Sequence, residues 1–169
     1  MVRPVVGVMG PGEDASPEDL RIAFALGEEI ARRNWVLLTG GRDAGVMNAA
    51  SRGAYGIGGV VVGILPGSNR NGVSPYVTLP IVTGTGEARN VINVLTSDLI
   101  IGVGMNPGTA SEIALAIKAQ KPIFLLNCPE EGKEFFLRLS KGSILFPSTL
   151  EETLDGVEQV LKQLGLTNS

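Results

Sequence analysis

The 169-residue chain contains no histidine. A His-based triad, a His proton shuttle and a His-ligated metal are therefore excluded. Its single cysteine, Cys128, rules out an intrachain disulfide and a CxxC site. That residue ends an apolar run and reads as a packed thiol. No apolar run approaches the roughly 20 residues that span a bilayer. The apolar stretch near the start is too short for a signal peptide and runs straight into Glu13 and Asp14. Neither GxGxxG nor GxxxxGK[ST] occurs, which removes the dinucleotide fingerprint and disfavours P-loop NTP hydrolysis. A net charge of −3 and a pI of about 5.0 leave no surplus of positive charge for nucleic acid. The expectation is a soluble, cytoplasmic protein that binds neither nucleic acid nor membrane and ligates no metal. One small anion stays open to it, because backbone N–H groups bind anions without net positive charge.

What is present is the composition of a folded protein. Hydrophobic residues make up 44% and charged residues 18%, too apolar for disorder. The length suits one domain, 1–169, with a sizeable core. Short apolar runs rich in Val, Ile and Leu predict strands over 5–9, 35–39, 60–65, 99–103 and 122–126, with weaker ones over 76–82 and 144–146. Amphipathic patterns predict helices between them. Ser16-Pro17 opens the first helix, with Glu18 and Asp19 in its first turn and Leu20, Ala23, Phe24, Leu26, Gly27 and Ile30 buried. Others cover about 46–55, 86–97 and 108–120. A short one holds Phe135, Phe136 and Leu139, and Ser148 caps the last. Continuous apolar strands alternating with helices predict an α/β fold: one three-layer, doubly wound, modified Rossmann domain with a mostly parallel sheet. Asp98 reads as a turn residue.

Four glycine-rich clusters each follow a strand and precede a helix. In a doubly wound sheet that gathers them at one edge, where ligands bind. Gly10-Pro11-Gly12 reads as the floor of a site or as a plain turn. In Thr39-Gly40-Gly41-Arg42, paired glycines permit close approach to a ligand and Arg42 supplies a forked cation. Gly45, Val46 and Met47 open the next helix and can offer N–H groups; the plain alternative is a loop with a solvated Arg. Arg89 and Asn90 open another helix, and Arg89 is expected to reach Glu112 as a buried pair or to stay at the surface. In Asn106-Pro107-Gly108-Thr109, Pro107 pre-sets the helix start. Gly108 and Thr109 then present N–H groups, with the Thr109 hydroxyl as a further donor. Glu112 follows one turn on, either facing a ribose, a pterin or an Arg, or serving as an ordinary first-turn acid.

The order of these segments resembles the LOG-like (lysine-decarboxylase-like) superfamily over nearly the whole chain. The segments are VGVMGPG (6–12), LTGGR (38–42), GVM (45–47), PIVTG (80–84), ARN (88–90) and VGMNPGTASEIALAIK (103–118). Within it the chain is most similar to the molybdenum cofactor carrier proteins. That resemblance implies a homodimer or homotetramer that binds molybdenum cofactor, an anionic pterin phosphate, as cargo. It also implies partners among molybdoenzymes or cofactor-synthesis proteins. The enzymatic relatives are nucleoside 5′-monophosphate phosphoribohydrolases with the hallmark PGGxGTxxE. Here the Pro-Gly-Gly is replaced, and Asn90 stands where they carry Lys, although Arg89 and Glu112 match the positions those enzymes use for catalysis. Hydrolysis, with Arg89 and Glu112 catalytic, is one alternative; a nucleotide-sensing module is another. The polar segment 68–75 is expected to help cover the ligand. The assembly face is expected on the helix with Leu115 and Ile117 or the one with Val91 and Ile92.

Overall fold

A computed structural model describes residues 2–167. Seven parallel strands form one sheet: β1 (Val5–Met9), β2 (Val36–Thr39), β3 (Val60–Leu65), β4 (Leu79–Val82), β5 (Leu99–Val103), β6 (Ile123–Leu126) and β7 (Ile144–Leu145). Their order is β4-β3-β2-β1-β5-β6-β7. The helices are α1 (Pro17–Arg32), α2 (Gly45–Gly56), α3 (Arg89–Thr96), α4 (Pro107–Lys118), α5 (Glu130–Leu139) and α6 (Leu150–Gln163). No described helix is long and apolar enough to cross a membrane.

Side chains alternate across each strand, so the sheet has two cores. Val6, Val8, Leu37 and Ile101 face α1, α2 and α6, meeting Leu26, Ala50 and Val157. Met9, Leu38, Ile64 and Ile100 face α3, α4 and α5, meeting Val94, Ile113 and Phe136. Strand order reverses between β1 and β5, and a crevice opens outside their carboxyl ends.

The α1–α2 contact is the tightest helix pairing. A Cβ on Gly27 would lie 2.0 Å from the carbonyl oxygen of Ala50, and one on Gly53 would lie 2.1 Å from that of Phe24. Only glycine lets these two backbones touch.

Several expected details shift. Leu20 and Leu139 are exposed, and Phe135 is 59% exposed beside buried Phe136. Phe24 is only half-buried. Thr149, not Ser148, caps α6; its hydroxyl accepts the N–H of Glu152, whose carboxylate accepts the N–H of Ser148. The helix expected over 86–97 begins as a 3-10 turn, Gly86–Ala88, before α3. Pro80 is tolerated in β4 because that strand is the sheet edge. Ser16 caps α1 as expected, and Asp19 completes a capping box. Asp98 holds the start of β1, accepting the N–H of Val5 at 2.7 Å. Cys128 is buried, and burial pushes its thiol pKa up.

Gly27→Ala should lower stability by about 2 kcal/mol or more, through overpacking against α2, although alanine gains about 1 kcal/mol in helix propensity. Urea denaturation checks this; an unchanged or raised midpoint would contradict the close-approach argument.

Candidate functional site: a crevice at the carboxyl edge of the sheet

The crevice has a volume of about 190 Å³. Of the residues expected there, Gly10, Gly12, Gly40, Arg42, Met47, Arg89, Asn90, Asn106, Gly108, Thr109 and Glu112 line it. Val8, Met9 and Glu87 join them. A larger groove, about 640 Å³, lies between α4, α5 and α6 at Lys121, Leu139 and Leu164. It holds none of the glycine loops, which line the smaller crevice.

Other expected residues support the walls from behind. The buried Thr39 hydroxyl accepts the N–H of Gly41 at 3.0 Å. The carbonyl of Pro11 accepts the N–H of Val46 at 2.9 Å, which ties the loop after β1 to the start of α2. That helix-start donor is therefore spent within the chain. Val46 belongs to the core. Gly41 and Gly45 take left-handed backbone angles, φ +74° and +49°. The segment 68–75 docks on the Gly41–Asp43 turn through Ser74 and Gly72, and it contributes no lining residue.

Arg89 is 5% exposed. Its Nη1 donates to the carbonyls of Gly40 at 2.5 Å and Ile64 at 2.7 Å. Gly40 is required here, since a Cβ would stand 2.4 Å from that nitrogen. Nε has no partner among the described atoms. The expected contact with Glu112 does not form: among the described residues no ion pair joins them. The backbone carbonyls at the ends of β2 and β3 capture the guanidinium first. Desolvation lowers the Arg89 pKa, partly offset by the charge of Glu112.

Glu112 instead accepts from Asn93 Nδ2 at 2.9 Å. Burial raises its pKa from 4.5 to about 7, against the opposing pull of Asn93 and Arg89. A carboxyl that is half neutral near pH 7 tolerates an anion far better than a full carboxylate. Asn93 is missed by motif reading; its clue is its place four residues after Arg89, on the same helix face. Asn90 Nδ2 donates to the Ser111 hydroxyl at 3.0 Å, which links α3 to α4.

The mouth is carboxylate-flanked. Glu13 pairs with Arg42 at 3.3 Å, and Asp14 accepts from Asn106 Nδ2 at 3.1 Å. Asn106 caps α4, and its Oδ1 accepts both the N–H and the hydroxyl of Thr109. Both Thr109 donors expected to meet a phosphate are thus occupied, while the third expected donor, the N–H of Gly108, has no hydrogen-bond partner among the described residues. Among the described residues no cluster of three or more Cys, Asp or Glu is arranged to hold a metal ion.

The SLOG cluster4 family model matches residues 3–154. The chain belongs to that family. It is 48% identical to the molybdenum cofactor binding protein of the phototrophic bacterium Rippkaea orientalis, with a TM-score of 0.94 over 95% of this chain and 99% of that one. The Moco carrier protein of Chlamydomonas reinhardtii is 44% identical, with a TM-score of 0.90 over 96% and 99% of the two chains. A probable cytokinin riboside 5′-monophosphate phosphoribohydrolase of Oryza sativa subsp. japonica is 35% identical over 129 residues. That match spans 69% of this chain and 50% of the rice protein. The resemblance drawn from the motifs extends through the fold of this SLOG member.

The raised Glu112 pKa has a stability consequence. Its folded value exceeds its unfolded value, so its contribution is complete below about pH 4.5 and lost as pH rises through about 7. Glu112→Gln should match the parent in acid and exceed its stability by about 2–3 kcal/mol at pH 8. Parallel urea titrations at pH 4.5 and 8 check this; an equal difference at both values would contradict it.

Proposed function

We propose that this SLOG protein binds molybdenum cofactor as cargo and carries it without turnover. The observation that carries the reading is one crevice where Arg42, Arg89 and the Gly12 and Gly108 loops meet, in a chain 44–48% identical to cofactor carriers along their full length. Arg42 and Arg89 form the cationic side for the cargo's anionic groups. Met47, the least buried of the apolar lining residues, gives polarisable surface for a flat ring system. Glu112 and Asn90 offer polar groups to the edge of that ring. At about 190 Å³ the crevice is smaller than a typical pocket of roughly 300–1,000 Å³, so the cargo extends beyond it. Arg89 supports carriage over hydrolysis, because its Nη1 is committed to two main-chain carbonyls.

The test is anaerobic binding of molybdenum cofactor and AMP to the purified protein, with products assayed. Saturable cofactor binding with AMP left intact is expected, and Arg42→Ala should weaken it on the order of tenfold. Conversion of AMP to adenine with no cofactor bound would place the chain with the phosphoribohydrolases.

The homodimer or homotetramer implied by the resemblance has a suitable face on α3 and α4. Val91 and Leu95 are exposed there and line a shallow apolar groove with Leu115. Leu95→Glu should shift the protein to a smaller species in sedimentation; an unchanged assembly would move the interface elsewhere.

A further inference from the structure

Asn106 is used from both ends of its carboxamide. Its Oδ1 accepts the Thr109 N–H at 2.9 Å and the Thr109 hydroxyl at 3.0 Å. Its Nδ2 donates to Asp14, at 3.1 Å to one oxygen and 3.5 Å to the other. Thr109 is 1% exposed, so both its donors are satisfied from within the chain. The carbonyl of Asn106 also accepts the Ala110 N–H at 2.8 Å, and Pro107 has no N–H to offer.

A helix start facing a crevice favours an anion, through its free N–H groups and its dipole. At α4 a neutral oxygen already sits where an anion's oxygen would, and the Asp14 carboxylate stands behind it. The Gly108 N–H stays open, but a phosphate that takes the Thr109 donors would have to displace Asn106 from four hydrogen-bonded atoms while facing a like charge. The opposite wall differs. The Arg42 side chain is 45% exposed and, among the described residues, is held only by that of Glu13, 85% exposed, a surface pair that is weak and readily exchanged.

We propose that Asn106 is a specificity-determining residue. It plugs the α4 end of the crevice against compact phosphate monoesters such as a nucleoside 5′-monophosphate, and leaves the anion of a larger ligand to the Arg42 wall. The proposal rests on the anion-binding reading of the crevice but not on the identity of the cargo. Asp14 acts through Asn106 as a positioning residue. The backbone angles of Asn106, φ −149° and ψ 177°, are extended. Glycine is a good helix cap, so Asn106→Gly removes the plug with little loss of stability.

Calorimetric titration with inorganic phosphate and with AMP tests this on the full chain. Asn106→Gly should bind both on the order of tenfold more tightly than the parent, as two donors are returned to a charged ligand. Asp14→Asn should show a smaller gain in the same direction. Adding Thr109→Val to Asn106→Gly should remove about half of the gain, the share of the hydroxyl, since the backbone N–H remains; a merely loosened loop would show no such loss. Asp43→Asn, which removes a nearby charge without touching Asn106, should bind like the parent. Phosphate binding no tighter in Asn106→Gly, or a gain left undiminished by Thr109→Val, would overturn the plug. No gain in Asp14→Asn would overturn the part given to Asp14. A parent that fails to bind molybdenum cofactor while Asn106→Gly gains phosphate would sink the carrier reading and leave the plug standing.

Discussion

The guanidinium of Arg89 holds the carboxyl edge of the sheet together. Parallel strands end with carbonyls that no further ladder satisfies, and at this edge several such ends lie close together. Nη1 of Arg89 takes two of them, from Gly40 after β2 and Ile64 in β3. The same bonds anchor the first residue of α3 against the sheet. A buried cation without a carboxylate partner is costly, and lone-pair density from main-chain carbonyls is what makes it tolerable here. The arrangement also explains why residue 40 is glycine, since any side chain would collide with the guanidinium.

Glu112 follows from that commitment. With Arg89 turned to the backbone, the carboxyl on α4 is left with Asn93 and a dry surrounding, which favours its neutral form. The crevice therefore carries less negative charge in its interior than its sequence suggests. Its exposed carboxylates stand toward solvent, with Glu87 on the lining before α3 and Glu13 and Asp14 holding Arg42 and Asn106. Interior and mouth thus differ in charge, and an anion would meet its main competition at the entrance.

Much of the architecture was legible beforehand. Buried parallel strands leave continuous apolar runs, and β1, β3 and β5 have the bounds those runs predict. Ser16-Pro17 and Pro107 mark helix starts because capping and proline chemistry are local. The gathering of the glycine clusters was legible too, because it follows from parallel topology. Less legible were Leu20 and Phe135, whose spacing suits a core face but whose helices turn them to the surface. The segment 68–75 reads as a cover; it docks on the Gly41–Asp43 turn behind Arg42 and lines none of the crevice itself.

By itself the sequence determined the strand and helix order, the parallel sheet, the edge where the loops meet and the family, because each rests on local pattern or motif order. Which donors remain free at that edge was decided only by the tertiary structure. Arg89 and Glu112 are 23 positions apart, and nothing in that spacing says whether they meet or are each taken by another partner. Val46 loses its N–H to Pro11, Thr109 loses both donors to Asn106, and Arg89 turns to Gly40 and Ile64. Hydrogen-bond partners compete over a few tenths of an ångström, and that competition is settled only when all the strand ends are in place.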